Sequence, residues 1–315
     1  MRLVIAVDGD LLVPPEALRG MAGQREEIAR VAAGLGHLLR QGHTAAIVHG
    51  NAPQIGYMLL RSEAASHVMH PLPLDICGSD TQGATGYLLQ QALQNWFAEH
   101  GLEAEVASVV TQVVVDVAQA AAEPLRGIGP FYDPEKARAY ATSRNWRFVL
   151  MPGQGYRRAV PSLKPQAVVE LKTIRWLLAQ GAVVVCAGGG GIPVRAGPGG
   201  ARVGVEAVVD KADTAALLAA ELGAEALIFV SGRQHLAPVL AWLAQAGPEP
   251  AERLAALTEA APAWGDGLHT KLLAGRQFLE QGGRRVVFCA PDAIGLAPSA
   301  MDGLILERAP AGVPA

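Results

Sequence analysis

Short runs of β-branched and other apolar residues alternate along the chain with longer alanine- and leucine-rich stretches of helical period. Strands are predicted at Leu3–Val7, Ala45–Val48, Ala107–Asp116, Phe148–Met151, Ala182–Cys186, Gly204–Val209, Ala226–Val230 and Arg285–Cys289. Helices are predicted at Gln24–Gln41, Gly83–His100, Gln166–Gln180, Asp213–Leu222 and Leu268–Gln281. Near-continuously apolar strands separated by helices imply an α/β fold with a mostly parallel sheet covered on both faces. Ligands of such sheets collect at the carboxyl ends of the strands. Asp8-Gly9-Asp10, His49-Gly50-Asn51, Gly188–Gly191 and Ser231-Gly232-Arg233 each follow a predicted strand, so they are expected on one rim. The interval Ala118–Tyr156 breaks the rhythm with Pro124, Gly127, Gly129, Pro130, Pro134 and several arginines, and reads as a small protruding lobe. Pro193–Gly200 reads as a surface hairpin or loop, and Ala309–Ala315 as a frayed tail.

The length of 315 residues suits one large α/β domain or two smaller ones. Half the residues are hydrophobic, 17% are charged and the net charge is −3, which gives no bulk attraction to nucleic acid or to acidic membranes. No segment reaches the roughly 18 apolar residues that span a bilayer, and the apolar N-terminal stretch is too short for a secretion signal. Cys77, Cys186 and Cys289 lie far apart, a pattern that suits buried free thiols in a reducing compartment, so a cytoplasmic protein is expected. His37, His43, His67, His70 and His100 lack metal-ligand spacing and read as surface or turn residues, and Trp242 and Trp264 as packing residues.

The run Val183-Val-Val-Cys-Ala-Gly188-Gly189-Gly190-Gly191 empties an apolar strand into four glycines. Such a turn reaches φ > 0 and lets backbone N–H groups approach an anion; a tight turn that makes room for a neighbouring element is the competing reading. His49-Gly-Asn-Ala-Pro-Gln-Ile-Gly56 joins a backbone approach point to an amide side chain and a helix start. It either grips a small planar anion or merely caps and closes a turn. Pro73-Leu-Asp-Ile-Cys-Gly-Ser-Asp-Thr-Gln-Gly83 is expected to precede a helix at Ala84–Leu93, with Thr81 as a capping residue. Tyr156-Arg157-Arg158 either reaches a phosphate or faces solvent or a second subunit.

Taken together with Thr111–Asp116, Ile128–Tyr132, Gly155–Ser162, Gly188–Val194 and Gly204–Lys211, these segments resemble the carbamate kinases of the amino acid kinase fold in order and spacing, over essentially the whole chain. The resemblance implies a three-layer αβα sandwich, usually a homodimer, that moves a phosphoryl group between ATP and carbamate with Mg2+. It divides one continuous fold into residues 1–203, holding carbamate or carbamoyl phosphate and including the protruding subdomain at about 118–156, and residues 204–315, holding the nucleotide. Gly50, Asn51 and Gly188, Gly189, Gly190 and Gly191 match the family's substrate turns, and Lys211 and Lys271 its two phosphate lysines. Arg126 falls where the family usually has a lysine, exchanging a compact ammonium for a planar fork.

The nucleotide and phosphate half departs from the pattern. Asp8-Gly9-Asp10 replaces a Gly-Gly-Asn turn, and a carboxylate about 4 Å from a phosphate oxygen repels it by about 4 kcal/mol at an effective dielectric of about 20. A pair of carboxylates there also invites a metal such as magnesium. Ala212 replaces the Asp after the family lysine, and Asp213, about 100° further round a helix, is its nearest substitute. Ser231-Gly-Arg-Gln-His235 replaces a Thr-Asp-Val-Asp segment, and Asp266-Gly267-Leu-His-Thr-Lys271 a glycine-containing phosphate loop. Three readings follow: a carbamate kinase with unusual loops; a non-kinase relative with a degenerate ATP site that binds carbamoyl phosphate or a similar small anion as a sensor, as a subunit of a carbamoyl-handling complex with a protein partner, or as an enzyme with another acceptor; and a kinase for another small acid. The first uses ATP/ADP and Mg2+, the second neither.

Overall fold

Strand β1 (Arg2–Val7) sends Leu3, Ile5 and Val7 to one side of its sheet and Val4 and Ala6 to the other. All five are fully buried, the signature of a strand covered on both faces. The computed structural model describes residues 1–13, 20–246, 253–260, 266–296 and 303–307. After β1 come α1 (Met21–Leu39), β2 (Thr44–His49), α2 (Ala52–Ala64), α3 (Leu74–Glu99), β3 (Val106–Val109) and β4 (Gln112–Val115). The middle of the chain holds β5 (Leu125–Tyr132), α4 (Pro134–Arg144), β6 (Arg147–Met151), β7 (Gly155–Leu163), β8 (Pro165–Val168) and α5 (Leu171–Ala179). Then follow β9 (Val183–Cys186), β10 (Ile192–Ala196), β11 (Arg202–Gly204), β12 (Val208–Val209), α6 (Lys211–Leu222) and β13 (Ala226–Val230). The chain continues through α7 (Arg233–Ala246), α8 (Arg253–Ala260), α9 (Asp266–Glu280), β14 (Arg285–Cys289) and β15 (Gly303–Glu307).

The main sheet has seven strands in the order β15-β14-β13-β1-β2-β9-β3, and every pair is parallel except β14 with β15. Ile28 and Leu35 of α1 and Leu89 and Leu93 of α3 pack on the Leu3 face. Ile174 of α5, Leu218 of α6 and Leu272 and Phe278 of α9 pack on the Val4 face. The result is the αβα sandwich that the strand pattern and the family resemblance imply. Val7 registers with both His49 and Val230, and Val48 with Cys186, so the turns after β1, β2, β9 and β13 do share one rim. That rim flanks the point where strand order reverses around β1, the usual crevice of open α/β sheets.

Two small sheets lie outside the main one: β11-β10-β4-β8, and β12-β7-β5 with β6 on β7. The interval predicted as a lobe holds β5, α4, β6 and the start of β7. Tyr132 and Tyr140 anchor it to α2 by donating to Glu63 at 2.7 and 2.9 Å.

Several predicted elements need correction. Ala107–Asp116 is two strands in different sheets, because buried Thr111 leaves the ladder. Its N–H donates to Gln82 Oε1 (2.8 Å) and its hydroxyl accepts from Ala187 N–H (2.9 Å). The helix predicted from Gly83 begins at Leu74 behind Pro73, so Thr81 lies inside α3 and caps nothing; its hydroxyl donates to Gly78 O three residues back. Gln166–Gln180 splits into β8 and α5, with Glu170 turning back to bond Gln112. Gly204–Val209 contributes to β11 and β12 in separate sheets, whereas the hairpin expected around Pro193–Gly200 is formed by β10 and β11. Trp264 and the tail Ala309–Ala315 lie outside the described residues. All three cysteines are buried free thiols, and burial pushes Cys77 up to about 11 and Cys186 and Cys289 up to about 12. Among the described residues no helix is long and apolar enough to cross a membrane.

Candidate active site

The turn after β1 begins at Asp8, whose N–H donates to Val230 O (3.0 Å), and runs through a 3-10 turn at Gly9–Leu11. The neighbouring turn touches it backbone to backbone, with Gly50 N–H donating to Val7 O at 2.8 Å. A Cβ on Gly50 would lie 2.5 Å from Gly9 N, so glycine there is a matter of space.

The Asp8 side chain is 13% exposed and each of its oxygens meets a lysine. Lys211 Nζ donates to Oδ1 and Lys271 Nζ to Oδ2, both at 2.5 Å. Lys271 also donates to the buried Ser231 hydroxyl at 2.8 Å. Burial opposes the charged carboxylate, but the two ammonium groups overcome it and hold Asp8 well below the usual carboxylate range. Burial and repulsion from Lys211 pull Lys271 below its ordinary value, while Asp8 pulls it back. Lys211 opens α6, where Asp210 is the N-cap and accepts from Ala212 N–H (2.8 Å). Arg126, reaching across from β5, donates to the other oxygen of Asp210 at 2.7 Å. The three cations predicted from sequence therefore gather around Asp8 and Asp210.

The glycine loop lies across the rim. Ala187 adopts φ 48, rare for a residue with a Cβ, and Gly189, Gly190 and Gly191 have φ of 68°, 91° and 92°. A Cβ on Gly189 would fall 2.2 Å from the Asn51 amide, and one on Gly188 2.3 Å from His49 Nε2. The loop is fixed from behind: Gln82 Nε2 donates to Gly188 O at 2.9 Å, and the Thr214 hydroxyl to Gly190 O at 2.7 Å. The loop is thus a close-packed turn, with its glycines set by the neighbouring His49 and Asn51. His49 is buried, with Nδ1–H donating to Gly50 O (3.0 Å), and burial pushes its imidazole down to about 4, so the ring is neutral. Asn51 stands at the N-cap of α2 without capping it; its amide donates to Thr81 Oγ1 at 2.9 Å.

Other sequence-predicted residues fall elsewhere. Asp10 pairs with His235 Nε2 at 3.0 Å, whereas Asp8 pairs with the two lysines. Among the described residues no group of three or more His, Cys, Asp or Glu is placed to hold a metal. Ala212 is buried in the apolar cluster beneath the sheet. Asp213 turns away from it to accept from Lys164 at 2.8 Å, and burial raises its carboxyl despite that partner. Gly267 lies in the first turn of α9 with open space where a Cβ would be, so this segment is helix and not a phosphate loop. Arg158 is buried against the Trp146 ring and paired with Glu206, and Arg157 donates to Gly129 O (3.0 Å), which ties both to the lobe.

Sequence reasoning missed Asp210, Gln82, Thr111 and Thr214, which hold the site in shape. It also missed Gln54, whose buried amide has no partner for Nε2 or Oε1 among the described residues. Its burial without a partner is set by the fold and leaves no mark in the sequence.

The sequence profile of the amino acid kinase family matches residues 1–237. The chain is 36% identical to the carbamate kinase-like protein YahI of Escherichia coli K12, with 96% of each chain covered. It is 34% identical to the carbamate kinase of Pyrococcus furiosus, over 91% of this chain and 92% of that one. The solved structure of Giardia lamblia carbamate kinase bound to AMP-PNP superposes with a TM-score of 0.81 at 25% identity, covering 97% and 98% of the two chains. With its sandwich, its rim of four turns and these relatives, the chain belongs to the amino acid kinase family and stands there among the carbamate kinases.

Proposed function

We propose that the protein transfers a phosphoryl group between ATP/ADP and carbamate/carbamoyl phosphate. The observation that carries this reading is the meeting of Lys211 and Lys271 on a single anion position, 2.5 Å from each, at the rim formed by the strand-end turns. Phosphoryl transfer asks a protein for positioning and charge more than for covalent help. Lys211 and Lys271 supply charge to the phosphoryl oxygens, and Arg126, held by Asp210 beside Lys211, adds a donor fork. Gly50, Asn51 and Gly188–Gly191 form the carbamate side. The Gln54 amide, without a partner among the described residues, offers an NH2 donor group and a carbonyl acceptor, the complement of a carbamoyl group. The nucleotide lies on the side of Ser231 and α9. The described residues do not suit a protein-held Mg2+: lysines take both Asp8 oxygens, and Asp10 binds His235. A non-kinase role draws no support from the similar proteins.

The test is ATP formation from ADP and carbamoyl phosphate with magnesium present, read by a luciferase-coupled assay. ATP is expected, with a loss of about 10²-fold or more in Lys211→Met and Lys271→Met, the size seen when one charge-stabilising donor is removed. No ATP from the native protein refutes the reading. A homodimer in the cytoplasm is the proposed setting, supported by the family resemblance and the buried free thiols; a monomer mass by light scattering would overturn the first part.

A further inference from the structure

Lys211 and Lys271 converge from different elements, the start of α6 and the body of α9, on one point at the end of β1. In a site that moves phosphoryl groups, two ammonium groups aimed at one point mark where phosphate oxygens sit. Here that point is filled by the chain's own carboxylate. Asp8 gives one oxygen to each lysine at 2.5 Å, and its side chain is only 13% exposed, so no water-filled gap separates the charges. Lys271 keeps a second acceptor in Ser231 Oγ at 2.8 Å, which holds its ammonium in place independently of Asp8. Among the described residues the Asp8 carboxylate bonds Lys211 and Lys271.

We propose that Asp8 is a tethered competitor anion, occupying the phosphoryl position of the Lys211–Lys271 pair until a phosphate-bearing ligand displaces it, and thereby setting the anion affinity of the site. The inference rests on the phosphoryl-transfer reading of the same lysines. A ligand must exchange one anion for another at this pair and leave Asp8 nearby as a repelling charge. Weak, high-energy phosphoryl donors gain nothing from the pair unless they outcompete a partner that is always present at high effective concentration. The site therefore discriminates against lone small anions such as inorganic phosphate, and favours ligands that bring further contacts to move the carboxylate aside.

Inorganic phosphate is the probe. Titration calorimetry on the native protein, Asp8→Gly and Asp8→Asn is expected to give a dissociation constant at least tenfold lower in both variants. The gain should vanish when Lys271→Met is added to Asp8→Gly. An unchanged or weaker affinity overturns the proposal. Should a variant be unfolded because two buried ammonium groups face each other, its refolding is followed by circular dichroism as phosphate is added. Rescue by millimolar phosphate supports the proposal, and no rescue overturns it. ATP formation by the native protein is measured alongside. Native ATP formation without tighter phosphate binding in the variants removes the competitor role and leaves the kinase reading. Tighter binding without any ATP formation does the reverse.

Discussion

Acidification should weaken this protein well before its carboxylates titrate, and His49 is the reason. The ring is buried beneath Gly188, its Nδ1–H is committed to Gly50 O, and burial pushes it down to about 4, with Lys211 opposing protonation as well. In the unfolded chain a histidine titrates near about 6.5. Between those values the unfolded state binds the extra proton, so stability falls as pH falls; the contribution is complete above about 6.5 and gone below about 4. At about 1.4 kcal/mol per pH unit the full range is about 3 kcal/mol, of which about 2 kcal/mol is lost between pH 7.5 and 5. A domain stable by about 5–15 kcal/mol registers that easily. The assay is urea unfolding of the native protein and His49→Gln at pH 7.5, 7, 6 and 5. Partly buried His43 is depressed in the same direction, so the useful quantity is the difference between the two proteins. That difference should shrink by about 2 kcal/mol towards pH 5; parallel pH profiles would refute the account of a neutral, buried ring.

Two further outcomes are expected. Gly189→Ala puts a Cβ 2.2 Å from the Asn51 amide at a φ of +68°, so it should cost about 1–3 kcal/mol in urea unfolding and raise the KM for carbamoyl phosphate. A variant with native stability and KM would mean the loop does not hold the substrate. Lys164→Met leaves the Asp213 carboxylate, 8% exposed, without its partner. Its carboxyl is already raised by burial, and a raised acid loses stability as pH climbs through and above its unfolded value. The variant should therefore fall behind the native protein by about 1–3 kcal/mol as pH rises from 4 to 8, and an equal gap at both ends would exclude the buried carboxylate as the cause.

The sandwich was legible because its strands are apolar on both faces: Leu3–Val7, Ala226–Val230 and Arg285–Cys289 announce themselves with little help from context. The rim followed from which turns succeed those strands. What periodicity could not see was polar capture. Thr111 ends a strand because Gln82 and Ala187 claim it, and both lie far away in sequence. Gly78 and Gly83 disguised the first turns of α3, since two glycines in a helix interior read as a loop. At the site, residue types identified the lysines and the glycine loop, and charge alone suggested that Asp8 and Asp10 act as a pair. Their divergence, one to two lysines and the other to His235, depends on partners that arrive from α6, α7 and α9.

The contact between the turns after β1 and β2 bears on how this rim can change over generations. Gly9 and Gly50 exclude each other's side chains, at 2.9 Å from Gly50 C in one direction and 2.5 Å from Gly9 N in the other. Neither position is open to a point substitution unless the other turn moves as well. The residues on either side of Gly9 are under no such mutual veto, because their side chains leave the contact for Lys211, Lys271 and His235. The shape of the crevice is thus inherited as a locked pair while its polarity can be rewritten one codon at a time. At residues 8 and 10 a lineage, or an engineer, meets the cost of a changed charge and not a collision of backbones.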